Sequence, residues 1–217
     1  MPRLDAASQQ GAVLVKRLLS KALALLVLGP LTAIGQGAGE RELFAQSSTT
    51  SKYAMILTGA TVGQENDAKF RQLSLSLHDI LSKDYGYSSA GIELLLSEPN
   101  ADSRADGISD RQGIVTSLGR LREKLKTGDQ LAVFLLGHGT GVDDEAKFNL
   151  RGPDLTGVEF ARLFDDFADQ DLIFVNTTSA SYGFSTALAR EVAGEGRIVV
   201  SATRSSSEKF DPYFPRY

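Results

Sequence analysis

The chain has 217 residues, 42% of them apolar, a net charge of −4 and no cysteine. That length supports one domain with a sizeable core, and the missing cysteine excludes disulfides, lipid anchoring through cysteine and thiol chemistry. The mild acidity excludes a general nucleic-acid binder, which needs clustered Lys and Arg against phosphates.

The first segment reads differently from the rest. Arg3, Lys16, Arg17 and Lys21 precede an apolar run from Ala22 to Leu28 that continues raggedly through Gly29 and Pro30 to Ile34, and small or polar residues follow. This is the layout of a secretory signal peptide with a cleavage region near Ala38 or Ala45, so residues 1–46 are expected to direct secretion or export to the periplasm. A membrane anchor and an amphipathic helix are the other readings. The run is shorter than the ~20 residues that span a bilayer and is interrupted by Gly29-Pro30, so no stable span is expected after cleavage. Removal leaves 18 basic and 24 acidic residues, a charge of −6. Residues 35–51 are rich in Gly, Gln, Ser and Thr, and 47–51 are read as the linker to a domain over 52–217.

Tyr53 to Leu57 has the apolar content of a buried strand, ending at Thr58-Gly59-Ala60. A helix is expected from Asn66 as N-cap, with Phe70, Leu73, Leu77, Ile80 and Leu81 on its inner face, stopping at Gly86. Gly91 to Leu96 is the second strand and Glu98 to Gly107 a polar loop. Ser109-Asp-Arg-Gln112 has capping-box spacing and opens a helix to Lys126, with Ile114, Leu118, Leu121 and Leu125 inward.

Asp129 to Leu136 is the third strand, and Phe148-Asn-Leu150 belongs to a short hairpin or loop excursion. Thr156-Gly-Val-Glu159 is another capping box, followed by a helix with Phe160, Leu163, Phe164 and Phe167 inward. Leu172 to Val175 is the fourth strand, a helix runs from about Gly183 to Val192, and Arg197 to Thr203 is the fifth strand. Strands alternating with helices of this length predict right-handed crossovers and an α/β fold with a mostly parallel sheet covered on both faces. A further strand or closing helix is expected beyond the fifth strand, so that 52–217 reads as truncated at its C terminus.

Two strand ends carry the candidate chemistry. After Asp129-Gln-Leu-Ala-Val-Phe-Leu-Leu come Gly137-His138-Gly139; after Leu-Ile-Phe-Val175 come Asn-Thr-Thr-Ser179-Ala-Ser-Tyr182. Ligands of open α/β sheets bind at the carboxyl ends of strands. His138 is suited to acid–base work near neutral pH, and its flanking glycines let backbone approach a ligand and leave the Gly139 N–H free for an oxyanion. It equally reads as a loop histidine satisfied by backbone. Ser179 is a nucleophile if His138 lies within reach, while Thr177, Thr178, Ser179 and Ser181 also read as hydroxyls that satisfy a turn. His78, beside Leu77, reads as surface or half-buried.

Other motifs point away from cofactors. Gly137-His-Gly-Thr-Gly141 lacks the Gly-Lys-Ser/Thr ending of a phosphate loop, and no Gly-x-Gly-x-x-Gly follows the first strand. No Gly-x-Ser-x-Gly elbow is present. Asp102, Asp106 and Asp110, or Asp143, Asp144 and Glu145, lack calcium-loop spacing and read as solvated turns. No cofactor and no metal are expected.

The chain order of a strand ending in His-Gly, a helix, and a strand ending in a nucleophile followed by small residues resembles the caspase and legumain-like cysteine peptidases. Asp129 to Gly139 is similar to their histidine strand, and Val175 to Ser181 to their Cys-x-Ser-Gly segment, with Ser179 at the cysteine, Ser181 on the family serine and Tyr182 on the glycine. Tyr53 to Gly59 and Ser201-Ala-Thr203-Arg204 also resemble counterparts, so the likeness spans about Lys52 to Phe214. It implies a caspase-like three-layer αβα sandwich with His138 as catalytic histidine, the Gly139 amide in the oxyanion hole, Thr177 shaping the first substrate pocket and Lys69 near a legumain-like pocket arginine.

A serine hydroxyl ionises far less readily than a thiol of pKa ~8.5 and needs an oriented base; Asn176 and Asp143 are the candidates for the orienting group. Three readings follow. One is a pseudopeptidase that binds a peptide or protein segment along a sheet edge or cleft. The second is a peptidase or acyl hydrolase using Ser179 and His138, and the third a non-catalytic doubly wound ligand-binding domain.

Overall fold

The structure, a computed structural model, describes residues 50–60, 64–98, 102–141, 145–192, 194–205 and 208, all within one unit, Glu42–Tyr217. The leader 1–46, most of the linker, and Asp143 and Asp144 lie outside these residues.

In chain order the elements are β1 (Lys52–Thr58), α1 (Gln64–Lys83), β2 (Ile92–Leu96), β3 (Gly107–Ile108), α2 (Arg111–Lys124) and β4 (Gln130–Leu136). Three two-residue strands follow, β5 (Gly139–Thr140), β6 (Lys147–Phe148) and β7 (Leu155–Thr156), then α3 (Gly157–Arg162), β8 (Asp171–Asn176), α4 (Ser181–Glu191) and β9 (Arg197–Ser201). The main sheet has the order β3-β2-β1-β4-β8-β9, with every neighbouring pair parallel. β5, β6 and β7 form a small antiparallel sheet, the excursion expected around Phe148.

Alternation along the strands divides the core into two layers. Ala54, Ile56, Ile92, Leu94, Ala132 and Leu136 point to the face covered by α1, through Leu75 and Leu81. Met55, Leu57, Val133, Leu135, Leu172 and Phe174 point to the other, where Ile114, Leu118 and Leu121 of α2, Phe160 of α3, and Phe184 and Leu188 of α4 meet them. The assignment of helices to faces follows from handedness. The step from β1 to β2 moves towards one edge and the later steps towards the other, so right-handed crossovers put α1 on one face and α2, α3 and α4 on the opposite one. The fold is thus an α/β three-layer αβα sandwich. Its thicker layer is anchored by Phe164 against Phe174, with ring centroids 4.8 Å apart and planes at 89°.

Four details differ from the sequence reading. α1 begins at Gln64, which puts Asn66 in its first turn and not at the cap. Its buried stripe is centred on Ser74, whose hydroxyl meets that of Thr58 at 2.7 Å, so Leu75 is buried and Ile80 is 44% exposed. A polar residue in mid-stripe conceals that rotation from a reading by apolar spacing. At α2 the N-cap is Asp110, accepting from the Gly113 N–H at 2.7 Å, and Ser109 precedes it as a buried residue. The strand β3 falls at the end of the expected polar loop, because two residues carry no readable period.

Elsewhere the local chemistry is as expected. Thr156 and Glu159 form the reciprocal capping box of α3, with backbone bonds of 3.2 and 2.9 Å. α3 is short, so Phe167 is carried by the following 3-10 turn Asp165–Phe167. α4 starts at Ser181, two residues before Gly183.

Candidate functional site

The five longer strands run β2-β1-β4-β8-β9, so the order reverses between β1 and β4. A crevice opens at the carboxyl ends of strands at such a switch point. His138 follows β4 at that place. The two strand ends are drawn together there: the Gly59 N–H donates to the Leu136 carbonyl at 2.7 Å, and a Cβ on Gly137, whose φ is 147°, would sit 3.0 Å from the Gly59 backbone. Only glycine accepts both that dihedral and that approach.

His138 is half-buried. Its ring packs edge-on to Phe70 of α1 with centroids 5.1 Å apart and planes at 84°. The ammonium of Lys69 lies 4.9 Å from the centroid of the same Phe70 ring. Lys69 and His138, distant in sequence, are therefore brought to one aromatic side chain. Asn149 fixes the backbone beside them, donating its N–H to the His138 carbonyl at 3.1 Å and accepting the Thr140 hydroxyl at 2.9 Å.

The second strand end meets the first directly. β4 and β8 are parallel neighbours, and Ser179, 3% exposed, reaches the backbone of Gly139. Its Oγ donates to the Gly139 carbonyl at 3.1 Å and accepts the Gly139 N–H at 3.2 Å. The Gly139 amide, expected to be free for an oxyanion, is engaged by the serine hydroxyl. This close pairing requires glycine, since a Cβ at 139 would overlap the Ser179 carbonyl oxygen and lie 2.9 Å from Thr178 Oγ1.

The turn presenting Ser179 is held by its neighbours. Thr177 is buried, and both its N–H and its hydroxyl donate to the Leu135 carbonyl, at 3.0 and 2.8 Å. Its hydroxyl hydrogen is thus spent on the end of β4. Asn176 Oδ1 accepts from the Thr178 N–H at 3.1 Å and from its hydroxyl at 2.7 Å, while Asn176 Nδ2 is buried without a hydrogen-bond partner among the described residues. Asn176 therefore orients the turn through Thr178, and its side-chain oxygen is already spent there.

Ala180 has φ 54°, in the left-handed region that costs an L-residue roughly 1–2 kcal/mol, and its N–H donates to the Glu208 carbonyl at 2.8 Å. Ser181, the first residue of α4, is linked through its hydroxyl to Ser201 at 3.0 Å and Thr203 at 3.1 Å, and the Tyr182 N–H donates to Thr203 Oγ1 at 3.0 Å. Tyr182 is 47% exposed.

Of the acidic residues named in the sequence, Asp102, Asp106 and Asp110 serve the scaffold. Asp102 pairs with Arg104 at 2.9 Å, and the Arg104 side chain holds its carboxyl well below the usual carboxylate range, helped by the Arg104 N–H. Asp106 accepts from the Leu94 N–H at 2.8 Å and Asp110 caps α2. His78 lies on α1 3.6 Å from Asp79. The site itself is a line of hydroxyls and backbone amides with one imidazole at its end, beside the ring of Phe70.

No model of a known protein family matches the chain, and no curated protein matches it. Sequence spacing could place Phe70 on an inner helix face and Asn149 in a loop. It carried no signal that both would pack onto the His138 segment.

Proposed function

We propose that this is an exported caspase/legumain-like domain that binds an extended peptide or protein segment and does not hydrolyse it. The observation that carries this reading is the closed pair between Ser179 and Gly139. The serine proton is given to a carbonyl, the amide that would stabilise an oxyanion is donated to the serine oxygen, and the hydroxyl is almost fully covered. A serine nucleophile requires the opposite arrangement: a proton delivered to an oriented base, and an amide left for the developing charge.

In this reading an extended segment lies along the crevice at the carboxyl ends of β1, β4 and β8, with main-chain hydrogen bonds supplying affinity and side-chain pockets specificity. Lys69 and the Phe70–His138 ring pair line its entrance, and Thr177 shapes its floor through the strand end it holds. One observation favours a second reading, acyl transfer by Ser179 with His138 as base. The Gly139 amide lies 3.2 Å from Ser179 Oγ, close enough to serve that oxygen's substrate once the pair opens.

A fluorophosphonate probe separates the two. No labelling above background is expected for wild type; labelling that disappears in Ser179→Ala would establish the hydrolase.

A further inference from the structure

The turn after β8 and the first turn of α4 are sealed, with one exception. Of residues 176–185 nine are buried, and Tyr182 is 47% exposed. Further along the outward stripe of α4 stand Thr186 and Arg190, polar side chains of the kind a solvent-facing stripe calls for. A single exposed ring is ordinary on a protein surface. What sets this one apart is how firmly it is mounted. The Tyr182 N–H donates to Thr203 Oγ1 at 3.0 Å, and its carbonyl accepts the Thr186 hydroxyl at 2.8 Å. Ser181, the residue before it, is linked through its hydroxyl to Ser201 and Thr203, and the Thr203 N–H donates to Ser181 Oγ at 3.0 Å. The backbone of Tyr182 is thus tied to the chain following β9, which leaves two side-chain torsions to be fixed on contact. A ring presented in this way loses little conformational freedom on binding, and tyrosine is enriched at binding hot spots for that reason.

We infer, on the footing of the peptide-binding reading proposed above, that Tyr182 selects the bound segment by stacking against a ring-bearing side chain, aromatic or proline. α4 starts where β8 ends, so Tyr182 stands at the carboxyl end of the sheet, in the residues directly after Ser179. α1 brings the Phe70–His138 ring pair to one face of that end, and α4 brings Tyr182 to the other. A segment crossing the ends of β1, β4 and β8 meets both. The charges carried by the chain that anchors Tyr182 offset one another, because Arg204 pairs with Glu208 at 3.0 Å. The flat apolar face of the phenol ring is therefore the feature a ligand finds there. Aromatic rings pair with such a face at centroid separations of roughly 4.5–7 Å, and proline offers a ring already set in the extended conformation.

The test is retention from a proteome-derived peptide library by the full-length protein, with each retained peptide quantified against the unbound fraction. Wild type is compared with Tyr182→Ala, with Tyr182→Phe, which keeps the ring, and with Tyr85→Ala. Tyr85 is 62% exposed beyond the end of α1, and its carbonyl accepts the Lys52 ammonium at the opposite end of the sheet. Peptides retained by wild type should be enriched at least threefold in Phe, Tyr, Trp or Pro. Tyr182→Ala should abolish that enrichment and lower recovery of those peptides about tenfold, while Tyr182→Phe and Tyr85→Ala behave as wild type. Retention without such enrichment, enrichment in Lys or Arg instead, or enrichment that survives Tyr182→Ala overturns the role of Tyr182 and leaves the peptide-binding function standing. The enrichment is read on wild type and decides the matter even where a variant does not fold. A wild-type protein that retains no peptide removes the proposed function, and the role of Tyr182 falls with it.

Discussion

Gly139→Ala is expected to lower the stability of the fold by about 3 kcal/mol, because overpacking costs roughly 1–3 kcal/mol and each hydrogen bond lost adds about 1 kcal/mol. The added methyl would overlap the Ser179 carbonyl oxygen, and the Lys147 carbonyl is 3.1 Å away on another side, so neither the β8 turn nor the β5–β6 hairpin can receive it without moving. Movement of the turn breaks both bonds between Gly139 and Ser179. Gly119→Ala is the matched control. Its methyl would meet nothing within 4 Å, and it sits inside α2, where alanine is favoured over glycine by roughly 0.5–1 kcal/mol. Urea unfolding distinguishes them through opposite shifts in midpoint at constant slope. A Gly139→Ala midpoint equal to that of wild type would mean that the two strand ends are not in contact.

Phe70→Ala is expected to cost about 3 kcal/mol, the lower end of the range for a buried Phe reduced to Ala. Phe70 is 2% exposed and large, yet one side of it faces the site and not the centre of the sheet. The same substitution removes the edge contact that holds His138 and the ring under the Lys69 ammonium. Under the proposed peptide-binding function, affinity should therefore fall together with stability, and Phe70→Leu should restore most of the stability without restoring the ring contact. A loss below about 1 kcal/mol, less than burying a large aromatic side chain supplies, would contradict the packing described.

Much of this arrangement could be read from residues close in sequence. The runs ending at Leu136 and Val175 announce buried parallel strands, and Thr156 with Glu159 announces a helix start, because strand burial and capping are local. The polar strand ends marked His138, Gly139 and Ser179 as one neighbourhood. What could not be read is how hydroxyls choose partners. Ser179 bonds to Gly139, forty residues away, and Thr177 to Leu135, forty-two away. Such bonds depend on register and turn geometry that no spacing rule encodes. Ser74 misled for a related reason: a hydroxyl buried against Thr58 behaves as core although its composition says surface. Asp110 displaced Ser109 as a cap because the choice between adjacent cap-forming residues is made by the backbone leaving β3.

The central claim is that Ser179 is a held hydroxyl in a peptide-binding crevice. Its most direct test is incubation of the protein with a proteome-derived peptide library, followed by mass spectrometry of the bound and unbound fractions. Peptides should be retained equally by wild type and Ser179→Ala, with no new termini in either sample. New termini produced by wild type and absent with Ser179→Ala would contradict the claim.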